Sequence, residues 1–268
     1  MGAGLQVLNG TVVNPSSTIT ALTPNTGDSY TVRNAQQGSK VELLEAWAYT
    51  TTNLLMRVRS PLMHDQAQNI RMQPPASIPR PLLPFGLNQQ LYPQDSMTVE
   101  MTGGTSETDI GALLVYYSNL PGVSARLHAP SEIVPLIVNL TTVEVDLTSS
   151  GTAGAYSATV ALNGSFDTLR RNIDYAILGY TCATVGCSLG ITGVDTGNLR
   201  VGGPLYNQSE VTDQWFMLLS QATGYPLIPV INSANVAGIN LDVVAAATST
   251  SFKVGINLAQ LQSPSGLS

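Results

Sequence analysis

The sequence predicts an all-β protein made of two tandem units of about 130 residues. Three observations carry this. Short runs of alternating apolar and polar residues recur along the chain, each closed by Gly, Pro, Asn, Asp or Ser. Similar phrases return in the same order in the two halves. Only 10% of the 268 residues are charged, against about 25% in an ordinary soluble domain.

The runs that read as strands in the first half are Tyr30-Thr31-Val32, Leu54 to Arg59, Met97 to Met101 and Gly111 to Tyr117. The second half has Thr142 to Leu147, Tyr156 to Leu162, Tyr175 to Cys182, Ile239 to Val244 and Phe252 to Leu258. In such a run alternate side chains share a face, so Val143, Val145 and Leu147 point one way and their polar neighbours the other. Turn signals fall at Asn25-Thr26-Gly27-Asp28, Thr102-Gly103-Gly104-Thr105, Ser149-Ser150-Gly151 and Val201-Gly202-Gly203-Pro204, a rhythm suited to sandwiches or barrels. One clear helix is expected near residues 209–222. Ser209 is its N-cap, Glu210 and Asp213 favour its positive end, Val211, Trp215, Leu218 and Leu219 form its apolar stripe, and Gly224 closes it. A second short helix is expected from Phe166 to Arg171, capped by Ser165. Where the long helix would fall in the first half, Pro74, Pro75 and Pro79 forbid one.

The repeat is read from matched phrases. Pro81-Leu82-Leu83-Pro84 matches Pro226-Leu227-Ile228-Pro229, 145 positions on. Val7 to Val13 matches Ile137 to Val143, Ala48-Tyr49-Thr50 matches Gly179-Tyr180-Thr181, and Leu113 to Tyr117 matches Phe252 to Ile256. Asn69-Ile70-Arg71-Met72 matches Asn198-Leu199-Arg200-Val201, and Met97 to Met101 matches Ile239 to Val243. A period this long marks a duplicated domain rather than a solenoid. The boundary is expected near residue 130, in a linker from Pro121 to Pro135. The expected units are therefore 1–130 and 131–268.

The net charge is −6 and Lys40 and Lys253 are the only lysines. Gripping a phosphate backbone takes several cations in register, which excludes direct, sequence-specific nucleic-acid binding as an expectation. A surface short of charge and rich in Ser, Thr, Asn and Gln suits wet contacts between copies. No apolar run approaches the roughly 20 residues of a membrane span, and the start of the sequence has no secretory pattern, so synthesis in a cytoplasm is expected.

Chemistry is sparse. Asp195-Thr196-Gly197 resembles the turn of an aspartic protease, but that reaction needs two such carboxylates and a second copy is missing. His64 and His128 stand in no recognisable frame. Glu42 and Glu45, three apart on an expected strand, should face opposite sides and cannot act together. Cys182 and Cys187 have no neighbouring histidine. They read as buried thiols, with a disulfide as the alternative. Trp47 and Trp215 read as core rather than as a sugar platform, and Asn9, Asn139, Asn163 and Asn207 as chance matches to the glycosylation pattern. Asp95, at an expected loop tip, is a candidate calcium ligand with no defined ligand set. No catalytic residue, no cofactor and no assigned metal site follow, and the chain is expected not to be an enzyme.

Two tandem β-units, low charge and phrases such as Leu91-Tyr92-Pro93-Gln94-Asp95-Ser96-Met97-Thr98-Val99-Glu100 together resemble the major capsid proteins of the double jelly-roll lineage. That lineage includes tailless icosahedral, often membrane-containing bacteriophages and adenovirus. The resemblance covers nearly the whole chain and is architectural; no single motif is diagnostic. It implies two tandem eight-stranded jelly-roll barrels with few short helices. It also implies homotrimeric, pseudo-hexameric capsomers of an icosahedral virion. The implied partners are neighbouring capsomers, minor capsid or vertex proteins and an underlying viral membrane. A single jelly-roll capsid subunit, a carbohydrate-binding β-sandwich and a hydrolase on a β-scaffold are the alternatives. The first would fall if both halves formed the same barrel.

Overall fold

The structure, a computed structural model, describes residues 2–33, 38–52, 55–63, 69–162, 169–207 and 209–262. Among these, the first half supplies β1 (Gly2–Val13), β2 (Thr20–Ala21), β3 (Thr23–Pro24), β4 (Val41–Tyr49), β5 (Met56–Arg59), β6 (Ile70–Met72), β7 (Gln89–Leu91), β8 (Thr98–Met101) and β9 (Thr108–Leu120). The second supplies β10 (Leu127–His128), α1 (Pro130–Ile133), β11 (Ile137–Thr148), β12 (Val160–Ala161), β13 (Asp174–Cys182), β14 (Ser188–Thr192) and β15 (Val201–Pro204). It continues with α2 (Ser209–Thr212), α3 (Trp215–Thr223), β16 (Ile228–Asn232), β17 (Asn240–Val244) and β18 (Ser251–Leu261). The fold is all-β, in four antiparallel sheets.

The sheet orders are β3-β1-β9-β4-β7 and β2-β8-β5-β6 in the first half, and β10-β16-β13-β18-β11 and β12-β17-β14-β15 in the second. Without the short β3 and β10, each half reads identically. One sheet joins its first, eighth, third and sixth strands, and the other its second, seventh, fourth and fifth. One irregularity agrees as well. A bulge lies between Leu43 and Glu45 in β4 and between Ile177 and Gly179 in β13. The shifts near the start of each half differ: the extra residue lies in β9, between Tyr117 and Leu120, in the first half and in β11, between Ile137 and Asn139, in the second. A bulge shifts every later side chain by one place, so the shared one fixes register. It matches Val7 with Thr142, Leu44 with Leu178 and Trp47 with Thr181.

This register corrects the phrase alignment. Leu91 pairs with Val41, and Ile231 pairs with Tyr175 at the matching place, so Pro81 and Pro226 are not counterparts. Pro81 to Asn88 lies outside any strand, whereas Ile228-Pro229 belongs to β16. Val7 likewise matches Thr142 rather than Ile137. Short apolar phrases fit one another at several offsets, and only the shared bulge discriminates.

Other expectations also change. The expected long helix is two, α2 and α3, separated at Asp213 and Gln214. Ser209 is the first residue of α2, while Gly224 caps α3 with φ of 74° and its N–H on the Ser220 carbonyl. Phe166 to Thr168 lie outside the described residues, and Leu169 to Arg171 are not helical. The presumed linker is structured: Leu127–His128 pairs with β16, and α1 follows.

Strand sequences follow their surroundings. In β11, Val143, Val145 and Leu147 are buried and Thr142, Glu144, Asp146 and Thr148 exposed, the pattern of a sheet covered on one side. In β1, β4 and β9 nearly every residue is buried, because the sheet is covered on both sides. Its inner face holds Leu8, Leu43, Ala46, Leu113, Val115 and Tyr117. Its outer face, with Leu5, Val7, Trp47, Ile110 and Leu114, merges with the core of the second half. Each such side chain contributes about 1.5–3 kcal/mol relative to exposure, so the junction is a second core rather than a polar contact.

Candidate functional site

The densest polar chemistry lies at the junction between the halves. The strand β15 is preceded by Asn198, Leu199 and Arg200. Asn198 has φ of 57°, and Asn69, just before β6, has φ of 40°. Asparagine tolerates this left-handed conformation better than most residues. Leu199 is 3% exposed and sits in the first-half core, against Gly4. The Arg200 carbonyl accepts the Val7 N–H at 2.8 Å, joining β1 to the second half. The guanidinium contacts Asp242 at 3.0 Å and Asp28 at 3.7 Å, and lies 3.5 Å from the centre of the Tyr156 ring.

Around this clasp, Tyr156 donates its hydroxyl proton to Asp28, and the Asn9 N–H donates to the same carboxylate at 2.8 Å. The Asn9 amide donates to the Tyr156 oxygen at 3.0 Å. The Ser188 hydroxyl donates to Asn9 Oδ1 at 2.7 Å and accepts the Trp47 Nε1–H at 3.0 Å. Asp28 and Asp242 are each 2% exposed in their side chains. Burial pushes both carboxyls above the usual range, opposed at Asp28 by Tyr156, Asn9 and Arg200 and at Asp242 by Arg200. Ionised, they need the Arg200 charge, so one guanidinium holds together two acids from opposite halves. The sequence reading quoted Arg200 in a repeat phrase but gave it no role. Asp28 lay in an expected turn and Tyr156 at the start of an expected strand, and neither carried a pairing signal.

The Asp195 turn is a second structural knot. Asp195 is 6% exposed. It accepts the Asn232 N–H at 3.1 Å, Asn235 Nδ2 lies at 3.3 Å, and Arg126 Nη1 is 4.0 Å away. Arg126 makes a two-pronged contact with Asp174 at 3.0 and 2.6 Å. Burial of Asp174 opposes its ionisation, but Arg126 and Asn232 outweigh this and hold the carboxyl below its ordinary value. The Thr196 hydroxyl donates within its own turn. The Asp195 carbonyl and carboxylate anchor Arg126 and the end of β16, while Thr196 holds the turn itself.

Glu42 and Glu45 share a face, contrary to the two-residue period. The bulge at Leu44 places them opposite Tyr116 and Leu114, two positions apart on one face of β9. They are separately engaged. Glu42 accepts from Asn88 at 3.0 Å. Glu45 Oε1 accepts three backbone N–H groups, from Ala46, Leu82 and Leu83, at 2.9, 3.0 and 2.7 Å. Burial pushes the Glu45 carboxyl up to about 7 despite these bonds.

Asp95 is 4% exposed and bonded to the Ser60 hydroxyl, so it is not an exposed loop-tip ligand. Among the described residues no three His, Cys, Asp or Glu side chains cluster as a metal site. His128 Nδ1 lies 3.4 Å from Glu132, and His64 lies outside the described residues. Cys182 and Cys187 are free thiols, and burial pushes the Cys187 thiol up to about 12. Trp47 and Trp215 are fully buried and meet edge to face at 6.1 Å. Asn9 is fully buried, Asn139 and Asn207 are exposed, and Asn163 lies outside the described residues. No described helix is long and apolar enough to cross a membrane.

On the outer face of the second half, Leu140, Thr142, Leu178, Met217 and Asn257 line a groove of about 570 Å³. Leu140 is 64% exposed and Val138 54%.

No family model and no curated protein matches the chain. Solved structures give loose likenesses. The exported protein XepA of PBSX is 9% identical, over 95% of this chain and 86% of that one, with a TM-score of 0.26. The major capsid protein P2 of bacteriophage PM2 is 8% identical, over 98% and 99%, at 0.25. The STIV MCP is 10% identical, over 96% and 87%, at 0.21. Superpositions this loose carry no argument.

Proposed function

We propose that the chain is a major capsid protein: a tandem double jelly roll that forms trimeric, pseudo-hexameric capsomers of an icosahedral virion. The observation that carries this is the repeated strand order, first-eighth-third-sixth facing second-seventh-fourth-fifth, with the same bulge in the third strand of both halves. Two Greek keys folded into facing sheets make a jelly roll, an architecture used in viral shells. Two similar lobes per chain, three chains to a ring, give six lobes that tile a hexagonal lattice. The repeated order weighs against a subunit with one barrel and an unrelated β-domain. A low-charge surface supports extensive hydrogen-bonded contacts between capsomers.

On this reading the protein is not an enzyme and needs no cofactor. The acidic balance favours a shell that rests on a membrane or protein layer rather than gripping the genome. Minor vertex proteins complete it, and synthesis takes place in the host cytoplasm. Light scattering of the purified 28.2 kDa chain, with electron microscopy of the same sample, tests the reading. Trimers of about 85 kDa that close into shells or sheets are expected. A strict monomer at high concentration would overturn it.

A further inference from the structure

The strands β1 and β11 hold the same place in the two halves, and only β1 has its outer edge covered within the chain. There the Val7 N–H meets the Arg200 carbonyl at 2.8 Å, the Asn9 carbonyl takes the Asn25 N–H at 2.9 Å, and Gly10 and Thr11 pair with β3. Just past the end of β11, the Ser149 N–H bonds to the Thr250 carbonyl at 2.9 Å, which sets the phase of the β11–β18 ladder. Odd-numbered residues of β11 therefore bond to β18, and Leu140, Thr142, Glu144 and Asp146 turn their N–H and C=O groups outward. No described residue meets those groups. A bare edge is a template for another strand, and proteins that keep one unpaired guard it with charge. Glu144 and Asp146 guard the later part of β11, while the exposed Val138 and Leu140 leave the earlier part unguarded.

We propose that the unguarded part of β11 pairs antiparallel with β11 of a second copy of this chain, about a two-fold axis at Thr141. The charge pattern chooses a copy as the occupant. With the axis at Thr141, Leu140 lies opposite Thr142 of the second copy and Glu144 opposite Val138, so no acid faces an acid. An axis at Glu144 would set like charges against each other. Glu144 already has Lys253 beside it at 2.8 Å, so this edge calls for no cationic partner. Size agrees with charge. Leu140, Thr142, Leu178 and Met217 line the groove on the outer face, and the small Thr142 leaves room for Leu140 of the second copy to close over it. The two five-stranded sheets then run on as one. The inference rests on the capsomer reading for its place in the assembly: a two-fold contact cannot close a ring of three, so it joins one trimer to the next.

Cysteine cross-linking tests the register. Thr141→Cys sets its thiol against its own copy across a non-hydrogen-bonded pair, where Cα atoms lie about 4.5 Å apart and a disulfide can form. It is compared with Thr148→Cys, at the far end of β11, both in a Cys182→Ser background and in oxidised glutathione. Thr141→Cys is expected to form a covalent dimer about tenfold faster than Thr148→Cys, and adding Leu140→Glu to slow it by about fivefold. Thr141→Cys that only takes up glutathione, that links no faster than Thr148→Cys, or that is indifferent to Leu140→Glu would overturn the pairing. Trimers in light scattering of the same sample would then leave the capsomer reading intact. Covalent dimers from a chain that never forms trimers would keep the pairing and overturn that reading.

Discussion

The same sheet face occurs twice in this molecule, once covered by the other half and once covered only in part, by the α2–α3 connection over Gly179 and Asn257, and its residues differ accordingly. On the first-half face, Leu5, Val7, Trp47, Ile110 and Leu114 are all fully buried against the second half. At the matching places the second half has Leu140, Thr142, Thr181, Lys253 and Asn257, with Leu140 the only large apolar residue among them. The strand order and the bulge in β4 and β13 are shared, so the fold does not require an apolar outer face. What sits on the face does. The less covered copy keeps the sheet and gives up the side chains that would make a second permanent core.

The strongest test of this contrast is substitution at one matched pair. Trp47→Ala opens a cavity at the junction and removes the donor to the Ser188 hydroxyl, which keeps its bond to Asn9. It should cost about 3–5 kcal/mol in a urea titration. Thr181→Ala, on the less covered copy of the face, should change stability by less than about 0.5 kcal/mol. Equal costs would mean that the two faces are not counterparts.

A second matched pair separates the clasp from the surface. Arg200→Met leaves Asp28 and Asp242 buried without their shared cation. A loss of about 3 kcal/mol is expected, measured by thermal unfolding at pH 7. Arg71→Met, at the exposed counterpart, should leave the monomer within about 0.5 kcal/mol of the parent. If the two variants were equally stable, the clasp would not hold the halves together.

The sequence made the fold class legible and hid the register. Alternation in Thr142 to Leu147 was readable because one face of β11 meets solvent. The same test gives little in β4, where Leu43, Leu44, Ala46 and Trp47 are buried on both sides. The repeat was visible as order, but the Pro81 and Pro226 match misled because proline-apolar phrases are common, while the bulge that fixes register has no sequence signature. The bulge at Leu44 also overturned the argument that Glu42 and Glu45 face opposite ways. The candidate chemistry at Asp195 was legible as a turn and not as a site, since its partners Arg126, Asn232 and Asn235 are distant in sequence. Arg200 was missed for the same reason: Asp28 and Asp242 come together only through the fold.

The residue after each copy of the shared bulge gives a smaller contrast. Gly179 lies beneath the chain between α2 and α3, and a Cβ there would run into the Thr212 and Asp213 backbone. Gly179→Ala should therefore cost about 2 kcal/mol by forcing α2 off the sheet. A neutral effect on the urea midpoint would mean that the α2 segment does not bear on β13.

At the matching place in the first half stands Glu45, which makes the last contrast one of pH. Its carboxyl is fully buried, and its Oε2 has no hydrogen-bond partner among the described residues. The folded value is raised to about 7 from 4.5, with burial as the cause. In the window between those values the folded chain binds more protons at this site than the unfolded chain, so stability must fall as pH rises. The stabilising effect of protonation is complete below the unfolded value and gone once pH has passed the folded one. Glu45→Gln keeps an oxygen for the three N–H groups of Ala46, Leu82 and Leu83 and removes the ionisation. It should therefore flatten this part of the pH profile and raise stability at pH 8 by about 1–2 kcal/mol, with little change at pH 4.5. Asp109, likewise raised to about 7, remains in both proteins, so the test is the difference between the two profiles rather than the slope of either. Parallel profiles would mean that water reaches Glu45, and that this part of the junction is more open than the face around it.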